Sequence, residues 1–202
     1  NVETVTIAFQ EGGNIVGDIS IGEGELVSSD PEGNTFEALT LISDGDAVNT
    51  VQNIGVLNTD GDSTIENDLL TVNIEANQDL VGQTITLSSV ATGADATVDI
   101  TGDADVTVKG IDASDTDIAT LTVDTTGHTG TYTVTGGSPS IVAGETLVFV
   151  GDADSTVELD TADDGLLETN FLGVDGNENL TLIDASGMEG TLALGDVANV
   201  AD

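Results

Sequence analysis

Apolar and polar residues alternate along most of this chain in short runs, each bounded by Gly, Asn or Asp. The runs are VETVTIAFQ (2–10), LTVNI (70–74), QTITL (83–87), ATVDI (96–100), DVTVKGI (105–111), TLTVD (120–124), GTYTVTG (130–136), ETLVFV (145–150) and GTLALGD (190–196). Successive side chains of a strand point to opposite faces, so a period of two puts one apolar face on a core and one polar face in water. Each run is therefore a predicted strand, rich in the β-branched residues that suit a pleated surface. Only GDAVNTVQNIGVL (45–57) and ADDGLLETNFLGV (162–174) hint at a helical turn, and Gly55 and Gly173 keep either one short. Pro31 and Pro139 both fall between runs, where a missing N–H breaks no ladder. The expected fold is all-β: a β-sandwich or an irregular β-solenoid built from short strands with acidic turns. Residues 1–202 are expected to form one continuous β-rich unit, with a split into 1–100 and 101–202 as the alternative.

Internal similarity refines this picture. LTVDTTGHTGTYTV (121–134) and LTLIDASGMEGTLAL (180–194) share a strand, an Asp, Gly-x-x-Gly-Thr and a second strand, and LTVNIEANQDLVGQTITL (70–87) is a looser copy. GDADVTV (102–108) recurs as GDADSTV (151–157), and IDAS occurs at 111–114 and 183–186. The order of these pieces predicts duplication of a unit of roughly 50 residues, with unequal insertions between copies.

Charge changes the picture most. The chain has 38 Asp and Glu against one Lys, Lys109, and no Arg, a formal net charge of −37. Self-repulsion at that density opposes a compact state, and one cationic side chain cannot relieve it. The compensating charge must come from solution, as bound divalent cations, a dense monovalent atmosphere or protons. Nucleic acid and anionic membrane surfaces are excluded as partners. There is no Cys, which removes disulfides, thiolate metal sites and cysteine chemistry. No apolar run approaches the roughly 20 residues of a membrane span, so membrane insertion is not expected. A Gly- and Thr-rich, acidic chain without Cys suits a medium with millimolar calcium or high salt, so an extracellular or cell-surface location is expected. The start at Asn1, without a signal-peptide pattern, fits a processed protein or an excised segment equally.

The acidic turns are candidate cation sites. In NTDGDSTIEND (58–68) Asn58, Asp60 and Asp62 alternate around a Gly turn, with Glu66 following. Calcium takes six to eight oxygens, and such spacing brings several to one point. An EF-hand is not met, because Gly61 comes one place early. Further candidates are Asp44 with Asp46, Asp103 with Asp105, Asp152 with Asp154, Asp163 beside Asp160 and Asp164, Asp112 with Asp115 and Asp117, and Asp175 with Glu178. Against each stands the simpler reading of a solvated turn whose Asp caps its own backbone.

Catalytic chemistry finds little support. His128 is the only His, and the small residues of TGHTG predict an exposed turn residue rather than a member of a triad. Zinc lacks its His or Cys ligands. Paired carboxylates are unavoidable among 38 acids and so carry no weight, and Phe9, Phe36, Tyr132, Phe149 and Phe171 read as core or interface anchors.

The LTxIDASGxxGTLxL pattern of 180–194, with weaker echoes at 121–134 and 70–87, resembles the repeats of bacterial surface-layer proteins and related secreted, calcium-dependent β-repeat proteins. That resemblance implies self-assembly into a coat or fibre and dependence on calcium. The nonapeptide GGxGxDxUx that accompanies many such repeats is missing.

Three functions are therefore expected, in this order. The first is a structural subunit of a surface layer, sheath or filament, polymerising with copies of itself, stabilised by Ca2+ and in contact with neighbouring cell-surface components. Its terminal run 2–9 would add to a neighbour's sheet edge, so deletion of 1–10 should abolish assembly. The second is an adhesin or ligand-binding β module, with the pairs Thr84/Thr86, Thr120/Thr122 and Thr131/Thr133 as a hydroxyl array. The third is a halophilic enzyme whose acidity is an adaptation to salt.

Overall fold

The structure is a computed structural model. It describes residues 4–11, 13–20, 38–55, 69–89, 92–113, 117–135, 141–142, 146–152, 154–157 and 182–194. The predicted alternation becomes strands throughout, and the strands arrange themselves in successive coils of chain. The first coil contributes β1 (Thr4–Phe9), β2 (Ile15–Val16) and β3 (Ile19–Ser20), and the second β4 (Ala38–Ser43), β5 (Asn49–Val51) and β6 (Ile54–Gly55). The third holds β7 (Thr71–Ala76), β8 (Leu80–Val81) and β9 (Thr84–Thr86), and the fourth β10 (Ala94–Gly102), β11 (Val106–Val108) and β12 (Gly110–Asp112). The fifth holds β13 (Ile118–Thr125), β14 (Tyr132–Val134) and β15 (Ile141–Val142). Then follow β16 (Thr146–Gly151) with β17 (Ser155–Val157), and β18 (Leu182–Met188) with β19 (Leu192–Leu194).

Every coil lays its first strand in one sheet, its second in another and its third, where described, in a third. The first sheet runs β1-β4-β7-β10-β13-β16-β18, the second β2-β5-β8-β11-β14-β17-β19 and the third β3-β6-β9-β12-β15. All pairings between these strands are parallel, apart from which a single antiparallel bridge joins Leu69 and Ser88. This corrects the expected fold: the strands build neither a two-sheet sandwich nor an irregular solenoid, but three parallel sheets whose members keep register from coil to coil, apart from shifts at Ala94/Asp95 and Val148/Val150. Purely parallel sheets are otherwise the mark of α/β proteins, where helices cover both faces. Here no helix occurs among the described residues, and the inner faces of the sheets cover one another. The helical turn expected within 45–57 is instead β5 and β6; the one expected within 162–174 lies outside the described residues.

Register explains the core. In the third sheet Ile19, Ile54, Ile85, Ile111 and Ile141 stand directly over one another, all buried. In the first sheet Leu39, Val72, Val98, Val123 and Phe149 form a second inward column. Fully burying one such side chain contributes about 1.5–3 kcal/mol, so these columns dominate the stability. Of the five aromatics, Phe9, Tyr132 and Phe149 are buried as expected of core residues, while Phe36 and Phe171 lie outside the described residues.

The repeat length is also corrected. Hydrogen bonds between neighbouring coils join residues 25 or 26 positions apart in the fourth to sixth coils, and 35 or 37 where the connections are longer. The structural unit is thus one coil, and the two GDAD stretches, Gly102 to Asp105 and Gly151 to Asp154, stand two coils apart with the TGHTG turn between them.

Candidate functional site

The site lies where the chain turns from the first sheet into the second. In the fourth coil the turn is Asp103-Ala104-Asp105, in the fifth Thr126 to Thr131, and in the sixth it includes Asp152 and Asp154. Glycine makes this corner possible. Gly102 has φ +102° and a side chain there would meet Ala76 O at 2.2 Å; Gly151 has φ +118° and would meet the carbonyl carbon of Thr125 at 2.4 Å. Gly130 lies equally close to the coil before it, 2.3 Å from Ala104 O to a built Cβ. The Gly-x-x-Gly-Thr motif thus reads as a close approach between coils followed by a capped residue.

The caps are the corner aspartates. Asp79 Oδ1 accepts the N–H of Asp105 at 3.1 Å, Asp105 Oδ1 accepts that of Thr131 at 2.9 Å, and Asp154 Oδ1 accepts that of Thr191 at 2.9 Å. Each acid therefore satisfies a backbone donor one coil further on, which ties successive corners together. Two residues apart the pattern repeats locally: Asp124, near the end of β13, accepts from Thr126 N, and Asp184, within β18, from Ser186 N. The side-chain and backbone hydrogen bonds from Ser186 hold the Asp184 carboxyl below its ordinary value.

Between the two GDAD turns opens a groove of about 460 Å³, lined by Asp103, Asp105, Asp152 and Asp154 together with His128, Thr129, Gly130 and Thr131. Two of the sequence-predicted acid pairs meet here. Asp44 and Asp46 occupy the equivalent corner of the second coil, away from the groove, and Asp44 Oδ1 accepts the N–H of Gly45. Asp60, Asp62, Glu66, Asp163 and Asp175 lie outside the described residues. Among the described residues no three His, Asp or Glu side chains are placed to hold one metal ion.

His128 departs from expectation. It is fully buried, not exposed, because the turn folds its ring under the corner and a carbonyl of the preceding coil receives it. Nδ1 lies 3.0 Å from Gly102 O and donates to it, since a carbonyl oxygen only accepts. Nε2 has no hydrogen-bond partner and is buried, as is the hydroxyl of Tyr132 in the same coil. Burial pushes the Tyr132 phenol well above its ordinary value. Nothing in the sequence pattern marks this unpartnered nitrogen; the flanking glycines, which suggest exposure, serve close packing instead.

A second acidic feature lies on the outer face of the first sheet, where Asp99 and Asp124 are register partners on neighbouring strands. Burial, and secondly the Asp124 charge, raise the Asp99 carboxyl above 3.8. The folded chain holds that proton more tightly than the unfolded chain does, so this pair weakens the fold as pH rises from about 3.8 through the folded-state value. Asp99→Asn should leave stability at pH 7 equal or higher by less than about 1 kcal/mol and remove that part of the gain on acidification. Urea midpoints of both proteins at pH 4 and pH 7 check it; a variant less stable than the parent at pH 7 contradicts it.

The threonine pairs do not form one array. Thr120/Thr122 belong to β13 in the first sheet, Thr133 to β14 in the second and Thr84/Thr86 to β9 in the third, so they face three directions.

No family model matches the chain, and neither does any curated protein or solved structure. The likeness to surface-layer repeats therefore rests on the quoted residues alone.

Proposed function

We propose that this chain is a structural, self-associating extracellular protein, a subunit of a surface layer, sheath or filament whose acidic corners are neutralised by calcium. One observation carries the reading. Coiling stacks Asp79, Asp103, Asp105, Asp152 and Asp154 along one corner, four of them around a single groove, in a chain with one basic residue. Asp79 and Asp105 belong to neighbouring coils about 4.8 Å apart and the two groove pairs to coils about 10 Å apart, so cations among them relieve a repulsion that is strongest at low ionic strength. A calcium ion in the groove would bind one or two carboxylates and keep water in its other positions. The role is structural rather than catalytic, with copies of the chain and neighbouring cell-surface components as partners. Association is supported by β1, which among the described residues is the end strand of the first sheet and whose outer edge would offer a template for a neighbour's strand.

Calcium titration followed by circular dichroism and electron microscopy tests this. Chelation at low ionic strength should lower the melting temperature and disperse any polymer, and millimolar calcium should restore both where potassium chloride of equal ionic strength does not. Full replacement of calcium by molar potassium chloride would reject this reading in favour of a salt-adapted enzyme.

A further inference from the structure

We propose that Lys109 of one copy docks its ammonium group in the acid-lined groove of a second copy. The proposal rests on the self-association reading above and adds a second contact to the one at the β1 edge. Lys109 is the chain's only basic residue besides His128, it is exposed, and among the described residues its ammonium has no partner. It follows β11, four positions beyond Asp105, so about 13 Å of extended strand separate it from its own groove, more than its side chain spans. The pair can be made between copies and not within one.

The groove calls for such a guest. Its side chains are rich in acceptors: four carboxylates and the hydroxyl oxygens of Thr129 and Thr131, with buried His128, whose Nε2 has no partner, also in the lining. An ammonium group has three donors and no acceptor, and so matches that lining. The volume of about 460 Å³ is that of a site for a side chain or small molecule and leaves room for an ammonium beside a hydrated ion.

The test compares the parent with Lys109→Met, Lys109→Arg and the double variant Asp103→Asn/Asp152→Asn by sedimentation and electron microscopy, with the carbon signals of the single His followed by NMR. The expected result is that Lys109→Met and the double variant raise the critical concentration for assembly about fivefold, the effect of roughly 1 kcal/mol per exposed pair, while Lys109→Arg restores part of it. Millimolar 1,5-diaminopentane should compete with assembly and shift the His128 signal in the parent and in both Lys109 variants, but not in the double variant. A parent that assembles while Lys109→Met assembles equally well overturns the docking and leaves self-association standing. A parent that stays monomeric in calcium overturns both.

Discussion

Gly102→Ala is expected to cost about 4 kcal/mol or more and to leave the protein largely unfolded at 37 °C. Two costs add. A residue other than Gly at φ +102° is strained by about 1–2 kcal/mol, and its Cβ would stand 2.2 Å from Ala76 O and 2.6 Å from the carbonyl carbon, backbone atoms that cannot swing aside. Ala76 O also accepts the N–H groups of Asp103 and Ala104, each at 3.0 Å, so any retreat of that carbonyl breaks the corner hydrogen bonds. Gly93→Ala is the control: its φ is +79°, yet no atom lies within 4 Å of the built Cβ. It should lose only the conformational cost, about 1–2 kcal/mol. Urea unfolding of the two variants separates the terms. Equal losses would show that close approach between coils contributes nothing at Gly102.

A single proline in β1 should abolish assembly or break the first coil depending only on the parity of its position. Phe9 O accepts the N–H of Asp44 at 3.0 Å, so Phe9, and with it Ile7 and Val5, direct their backbone groups at β4. Thr4, Thr6 and Ala8 direct theirs at the outer edge. Thr6→Pro removes an outward N–H and leaves the ladder to β4 intact, so the monomer should keep its melting temperature while edge-to-edge association is lost. Ile7→Pro removes an inward N–H and an apolar side chain packed on the core, and should destabilise the first coil by about 3 kcal/mol. Sedimentation and thermal melts read the two effects. Assembly by Thr6→Pro at the parental concentration would remove β1 as the joint. The pair is cleaner than deleting residues 1–10, which would also take away buried Phe9 and uncover the columns of Leu39 and Leu41.

Sequence alone determined which residues face the core. The alternation in TLTVD or ATVDI reports burial of one face, because a strand half in water must alternate. It also determined that any compensating charge comes from solution, as divalent cations, a monovalent atmosphere or protons, since one lysine cannot balance 38 acids. The two GDAD stretches and the Gly-x-x-Gly-Thr turns were legible as repeated pieces, though not for their purpose of bringing glycine backbones against the preceding coil.

What only the tertiary structure decided is who stands beside whom. Alternation is the same whether a strand's neighbour is antiparallel and adjacent in sequence or parallel and 26 positions away, so a sandwich, an irregular solenoid and three parallel sheets share one pattern. The five isoleucines from Ile19 to Ile141 form a column through hydrogen-bond register, which no local signal encodes. For the same reason His128 was misplaced: its neighbours in sequence are small and suggest exposure, while its neighbours in space, Gly102 and the acids of two adjacent coils, bury it. Charge and face are properties of a residue and its immediate neighbours; the groove is a property of coils stacked on coils.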